Sequence, residues 1–350
     1  MRPDVVPGRA ILDASRTGRE VAGPALVTGA TGFIGAHVVR ALLARGRGVR
    51  CLVRRSSRRD NLRGLDVDIV EGDLLDRASL ARGMEGCATL FHCAADYRLW
   101  ARDPAAILTT NVEGTRNVLR AAVDAGVARV IHTSSVGALG LASGDAAADE
   151  DTPVRERDLV GPYKRSKFLA EAEVRRFADA GLDVVIVNPS TPVGELDVKP
   201  TPTGRVIVDF LRGRMPAYVD TGLNLIDVRD VAEGHVLAAE RGRAGRRYIL
   251  GNRNVSLREL FEMLAGVAGR PAPRLRVPLW VPLLAAHVAE AWARVGGPEP
   301  RAPVDAVRMA RHRMHFDPAR AVRELGLPQS PVEDALERAV RWFREAGYAP

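Results

Sequence analysis

Short apolar runs alternate with longer stretches of helical periodicity over the first half of the chain. The segment "ALVTGATGFIG" (25–35) opens as a continuous apolar run and turns through glycines into a helix. In that helix Ile34, Val38, Val39, Leu42 and Leu43 recur at helical spacing until "ARGRG" ends it. Further strand candidates are "VRCLVRR" (49–55), "VDIVEGD" (67–73), "ATLFHCAAD" (88–96), "ARVIHTSS" (128–135) and "LDVVIVNPS" (182–190), with helical patterns between most of them. Strands that are apolar throughout, rather than alternately, are buried on both faces. They predict an α/β fold: a doubly wound, Rossmann-type parallel sheet covered by helices.

After about residue 195 the rhythm changes. Prolines 200, 202, 216, 271, 273, 278 and 282 separate helical stretches at 256–268, 304–311 and 331–346. Residues 24–195 are therefore expected to form a dinucleotide-binding Rossmann domain. Residues 196–350 are expected to form a smaller, mostly helical substrate-binding region over the carboxyl ends of the strands, with 224–250 returning a strand and a helix to the sheet. Residues 1–23 are polar and charged, lack the apolar core of a signal peptide, and read as a flexible leader.

Composition adds limits more than content. With 350 residues and 46% hydrophobic content the chain can bury a sizeable core. Its net charge of +8 comes with an Arg-over-Lys skew that runs through every segment, and Arg spread in this way does not indicate nucleic acid, which needs the charge gathered on one face. Cys51, Cys87 and Cys93 are odd in number and lack C-x-x-C spacing, as expected of reduced thiols in a cytoplasmic protein. The apolar stretch from Val277 to Val295 holds two prolines, His287, Glu290 and Arg294, and is not a membrane span. Its Trp280 and Trp292 are expected to pack the substrate region, and with a lipid substrate the stretch could rest on a membrane surface. His312 and His315 have a spacing that can suit a metal, but no third ligand is near, so a solvated helix face is expected and no metal.

Chemistry concentrates in three places. Gly29, Gly32 and Gly35 form G-x-x-G-x-x-G between the first strand and first helix, where side chains would hold the backbone away from a pyrophosphate. The second strand ends in Arg54-Arg55, where an NAD site usually carries an acid; guanidinium suits a 2'-phosphate, so NADP is favoured, with NAD as the alternative. Asp73 and Leu74 follow the third strand, where an acid can accept from the adenine amino group or cap the next helix. The third place is "GPYKRSKFLAE" (161–171). The chain has 51 basic side chains but only three lysines, Lys164, Lys167 and Lys199, and only five tyrosines, yet Tyr163 and Lys167 meet at Y-x-x-x-K. Four residues apart on a helix they share one face. An adjacent ammonium is expected to draw the phenol toward the working range, and a compact lysine can also hydrogen-bond a nicotinamide ribose. Lys164 is expected to be a solvated charge. Ser134 and Ser135 end the fifth strand; adjacent strand residues point oppositely, and Ser135 is chosen as the one facing substrate.

These segments, "TGATGFIG", "GDLLD", "CAAD", "NVEGTRNVL", "TSS", "YKRSK", "NPSTPVG" and "LIDVRDVAEGH", occur in the order found in extended short-chain dehydrogenases/reductases, which the chain resembles over about 24–346. It is similar to the dihydroflavonol 4-reductase-like branch and, through "AADYRLWARDP" and "VKPTPTGR", to bacterial hopanoid-associated sugar epimerases. The resemblance implies that Ser135, Tyr163 and Lys167 are catalytic, that Thr31, Gly32, Phe33, Ile34, Arg54, Asp73, Leu74, Ala94, Ala95 and Pro189 lie near the cofactor, and that the protein is a homodimer. Sugar epimerases commonly keep a tightly held NAD with an acid at the position of Arg54, and the chain departs from them there. Tyr97, Trp100, the segment 191–204 and Tyr218 are candidates to contact a small-molecule substrate, each equally readable as packing. The expected activity is hydride transfer between nicotinamide C4 and a carbonyl or carbinol carbon, with a link to hopanoid or isoprenoid metabolism. The alternatives are an NAD-dependent nucleotide-sugar epimerase and a non-catalytic dinucleotide sensor.

Overall fold

The computed structural model describes residues 23–350 apart from Ser143 and Asp145, so the expected leader 1–23 lies almost wholly outside the described residues. Each strand candidate of the first half is a strand: β1 (Ala25–Thr28), β2 (Val49–Val53), β3 (Asp68–Glu71), β4 (Thr89–His92), β5 (Arg129–Thr133) and β6 (Val184–Pro189). Later strands are β7 (Thr191–Val193), β8 (Ala217–Tyr218), β9 (Gly222–Asp227), β10 (Arg247–Leu250), β11 (Arg253–Ser256) and β12 (Leu275–Arg276). The helices of the first half are α1 (Phe33–Leu43), α2 (Arg77–Met84), α3 (Ala105–Leu108), α4 (Gly114–Asp124) and α5 (Gly161–Asp179). They are followed by α6 (Pro202–Leu211), α7 (Val228–Arg241), α8 (Leu257–Ala268), α9 (Trp280–Arg294), α10 (Val304–Met309), α11 (Ala319–Leu325) and α12 (Val332–Glu345).

The central sheet has seven parallel strands in the order β10-β6-β5-β4-β1-β2-β3. Its strand order reverses between β1 and β4, which opens the crevice where such sheets bind ligands. One face is covered by α1, α7 and α11, whose Val38, Val39, Val231, Val236, Ala321 and Leu325 are buried on Val27, Val53 and Val187. The other is covered by α2, α4 and α5 through Leu80, Met84, Val118, Leu119 and Val174. That double coverage is the physical reason β1, β4 and β6 read as unbroken apolar runs.

Beyond β6 the chain builds a second layer with its own core, in which α6, α8 and α12 pack through Phe210, Phe261, Leu264 and Phe343. A three-stranded sheet, β11-β9-β7, faces that core. The strand and helix expected to return to the sheet within 224–250 are β10 and α7. Helix α7 and β10 do rejoin the Rossmann sheet, but β9 does not, because it pairs with β7 and antiparallel with β11.

Three surface expectations are corrected. Trp280 and Trp292 do not pack a substrate region: they are 66% and 63% exposed, and with Leu284 and Val288 they form an outward stripe on α9. His312 and His315 are not on a helix. Helix α10 ends at Met309, the chain turns through Ala310–His312, and Met314 then bridges to Leu223 and Phe316 to Ala148. Lys164 is not solvated; it is 8% exposed. Among the described residues no helix is long and apolar enough to cross a membrane.

Candidate active site

Strand β1 delivers the chain into a turn that only glycine can make. Gly29 has φ +70°, and a Cβ on it would stand 2.7 Å from the amide nitrogen of Ala94; a Cβ on Gly35 would stand 2.2 Å from the carbonyl oxygen of Gly29. The turn is thus pressed against the chain leaving β4 at Cys93 and Ala94, and Thr31, Gly32, Phe33 and Ile34 follow it into α1. Gly32 is the N-cap of α1, which has neither a capping side chain nor an acid in its first turn. Its leading amides and positive end are left for an anion.

Thr28 fixes the neighbouring strand end. Its hydroxyl accepts from the Ala94 amide at 3.3 Å and bonds His92 Nδ1 at 2.8 Å, while His92 Nε2 bonds the Thr115 hydroxyl at 3.1 Å. These three polar residues, wholly buried, hold β1, β4 and α4 together under the turn.

Arg54 and Arg55 follow β2 and line an open cavity of about 580 Å3 with Ser56, Glu71, Gly72 and Asp73. Glu71 is engaged by Arg59 at 2.6 Å, and Arg58 by Asp60 at 2.8 Å, whereas Arg54 and Arg55 are exposed and carry no acid partner among the described residues. Asp73 is not the helix cap: Asp76 caps α2 through Ala78 and Ser79, and Asp73 accepts instead from the Leu75 amide. Leu74 is buried against Gly114 of α4, and Pro189 closes β6 beside Leu250. Glycine turn, free helix end and unpaired guanidinium groups all lie on one edge of the sheet, and they fit a nicotinamide dinucleotide.

Helix α5 places Tyr163 and Lys167 one turn apart. Tyr163 is half-buried and its hydroxyl hydrogen-bonds the Ser135 side chain. Lys167, 4% exposed, donates to the carbonyl oxygen of Thr133 at 2.7 Å. Ser134 turns the other way and donates to buried Glu171 at 2.7 Å, so the two serines divide as pleating requires, with Ser135 on the Tyr163 side. The expected tuning of the phenol is not what this arrangement does. Burial raises the Tyr163 pKa above its ordinary value, opposed only by the Ser135 hydrogen bond. Burial also lowers Lys167 to about 8, with Cys93 and Glu171 acting against it. At neutral pH the phenol is a proton donor.

Three supporting residues escaped the sequence reading. Asn188 in β6 donates to the Ser135 carbonyl at 3.0 Å and to Glu171 at 3.1 Å. Glu171 also meets Arg175 and Arg247, at 3.1 and 3.4 Å. Asn111 lies in a π-turn (Thr109–Glu113) between α3 and α4; it accepts from the Asp96 amide and donates to the Asp96 carbonyl and to Ser166 of α5. A polar residue inside the apolar run "VVIVNP" was the one available signal, for Asn188.

The substrate candidates divide. Tyr97 donates to the Lys199 carbonyl at 2.8 Å and so ties the loop after β4 to the 191–204 segment. Trp100 is half-buried in that same loop. Tyr218 packs edge-on against Phe261, 6.3 Å between ring centroids, in the second core.

Comparison with known proteins gives the family. The sequence model of the "NAD dependent epimerase/dehydratase family" matches residues 25–251. The chain is 52% identical over 326 residues (92% of this chain, 95% of the relative) to a Synechocystis sp. protein that carries the name dihydroflavonol 4-reductase. It is 39% identical over 324 residues (92% and 98%) to sterol demethylase protein B of Methylococcus capsulatus. It is 34% identical over 306 residues (86% and 90%) to a Stigmatella aurantiaca ketoreductase, 4-hydroxy-2-methyl-3-oxo-4-farnesyl-3,4-dihydroquinoline-1-oxide ketoreductase. Its fold is similar to that of dTDP-glucose 4,6-dehydratase from Streptomyces venezuelae, solved with NAD bound (TM-score 0.75, 27% identity, 93% of this chain and 98% of that one). The chain belongs to the NAD-dependent epimerase/dehydratase family and is an NAD(P)-dependent enzyme of the extended short-chain dehydrogenase/reductase type.

Proposed function

We propose that the protein is an NADP-dependent reductase of a ketone on a largely apolar, isoprenoid-type small molecule. The observation that carries this reading is the protonated, half-buried Tyr163 hydrogen-bonded to Ser135. A group held as an acid at neutral pH is set to give a proton to a carbonyl oxygen as the carbon receives hydride. Arg54 and Arg55, unpaired beside Asp73, support NADP over NAD. A farnesyl-bearing ketone and a sterol in the names of two relatives support the substrate class.

When bound, the dinucleotide supplies the hydride. Ser135 and Tyr163 hydrogen-bond the substrate oxygen and polarise it; Tyr163 Oη releases its proton there and regains one from solvent. Lys167 holds its ammonium beside Thr133, where it can orient a ribose hydroxyl. Asn188 fixes the Ser135 backbone, and Asn111 pins α5 to the loop after β4.

Screening apolar ketones with NADPH tests the reading. Turnover is expected with NADPH, with kcat/KM for NADPH falling as pH rises through about 8, because Lys167 is charged below that pH and neutral above it. Epimerisation of a nucleotide sugar without added cofactor would overturn it.

A further inference from the structure

Next to the catalytic constellation lies a second cavity, of about 860 Å3, walled by the chain after β5, residues 153–160 and the turn after α10. Lys164 is the buried charge in its wall, and among the described residues its Nζ has a single partner, the Met314 thioether at 3.8 Å. Its position is unfavourable in three separate ways. It is removed from water, it stands in the first turn of α5 near the positive end of the helix, and among the described residues no carboxylate pairs with it. The rest of the wall makes matters worse. Arg311, His312 and Arg313 face the same space, and Asp158 is exposed at its rim. Arg313 is shared with Asp220 at 3.6 Å. The nearest acid on the helix end, Asp305, sits against Gly161 and is bridged to Arg308. In a chain that otherwise writes Arg, a lysine kept here without a counter-ion is not a surface accident.

We infer that this cavity binds an anionic group, phosphoryl or carboxylate, with the Lys164 ammonium as its buried partner and Arg311 at its mouth. An anion there compensates all three costs at once: it pairs the charge, replaces lost solvent and satisfies the helix end. Gly137 separates this site from the reaction centre by one residue, since a Cβ on it would stand 3.3 Å from both Lys164 Cγ and Ser135 Oγ. The anion therefore belongs to the molecule turned over at Ser135 and Tyr163, a placement that rests on the reductase reading.

With only three lysines, protein labelled with 13C at lysine Cε gives three resolvable signals, assigned by Lys164→Arg and Lys199→Arg. Titration with inorganic phosphate and, separately, with acetate is expected to move the Lys164 signal saturably and to raise its pKa, which burial lowers to about 8 in the free protein. The tighter of the two anions identifies the group. Arg311→Ala, at an exposed position, should weaken that affinity severalfold without altering the melting temperature. A Lys164 signal that is unmoved by both anions, or that moves only in step with exposed Lys199, would refute the site. The titration should be unchanged in Tyr163→Phe, so loss of turnover and loss of anion binding are read separately.

Discussion

Tyr163→Phe should lower kcat for ketone reduction by about 10²–10⁴-fold, the range of a lost general acid, while leaving KM for NADPH within a few-fold of wild type. The phenol is the only group on the cleft side of α5 that hydrogen-bonds Ser135, and burial keeps it protonated. Phenylalanine retains the ring and its packing on the helix but has no proton to give. Steady-state NADPH oxidation measures the effect. A parallel rise in KM and fall in melting temperature would instead mean that Tyr163 is structural. Ser135→Ala should lose less, because Tyr163 keeps its own contact with the substrate oxygen.

Arg54→Ser should weaken NADPH binding about 10–100-fold while leaving NADH within about twofold, since a hydrogen bond between charged groups contributes roughly 1.5–3 kcal/mol. The selectivity matters more than the size. Arg54 is exposed and engages no acid among the described residues, so the substitution breaks no ion pair there and should not alter the fold. Fluorescence titration with each nucleotide reads the two affinities. An equal loss for both would mean that Arg54 touches the shared part of the dinucleotide rather than a 2'-phosphate.

Most of the Rossmann half could be read from the chain because its signals are local. Continuous apolar runs gave six strands, and the glycines of 29–35 gave the turn, since sterics at Gly29 and Gly35 admit nothing larger. Pleating says that Ser134 and Ser135 point oppositely, the resemblance singles out Ser135, and in the structure Ser134 turns away to Glu171. What failed depends on tertiary surroundings. Lys164 looks like any charged helical residue until the stretch after α10 covers it, a contact about 150 positions away in sequence. The phenol was expected to be tuned by its neighbour along the helix, yet burial by the whole fold outweighs that neighbour, whose ammonium turns to Thr133. Trp280 and Trp292 look like core residues, but their spacing puts them on an outer face of α9.

Denaturing the purified protein and identifying the nucleotide it releases, before and after exhaustive dialysis, tests the reductase reading most directly. A reductase that takes up fresh hydride each cycle should lose its dinucleotide on dialysis and rebind NADP(H) in preference to NAD(H). Recovery of one equivalent of NAD per chain after dialysis would contradict it, since retained cofactor is the mark of an enzyme that oxidises and re-reduces the same substrate.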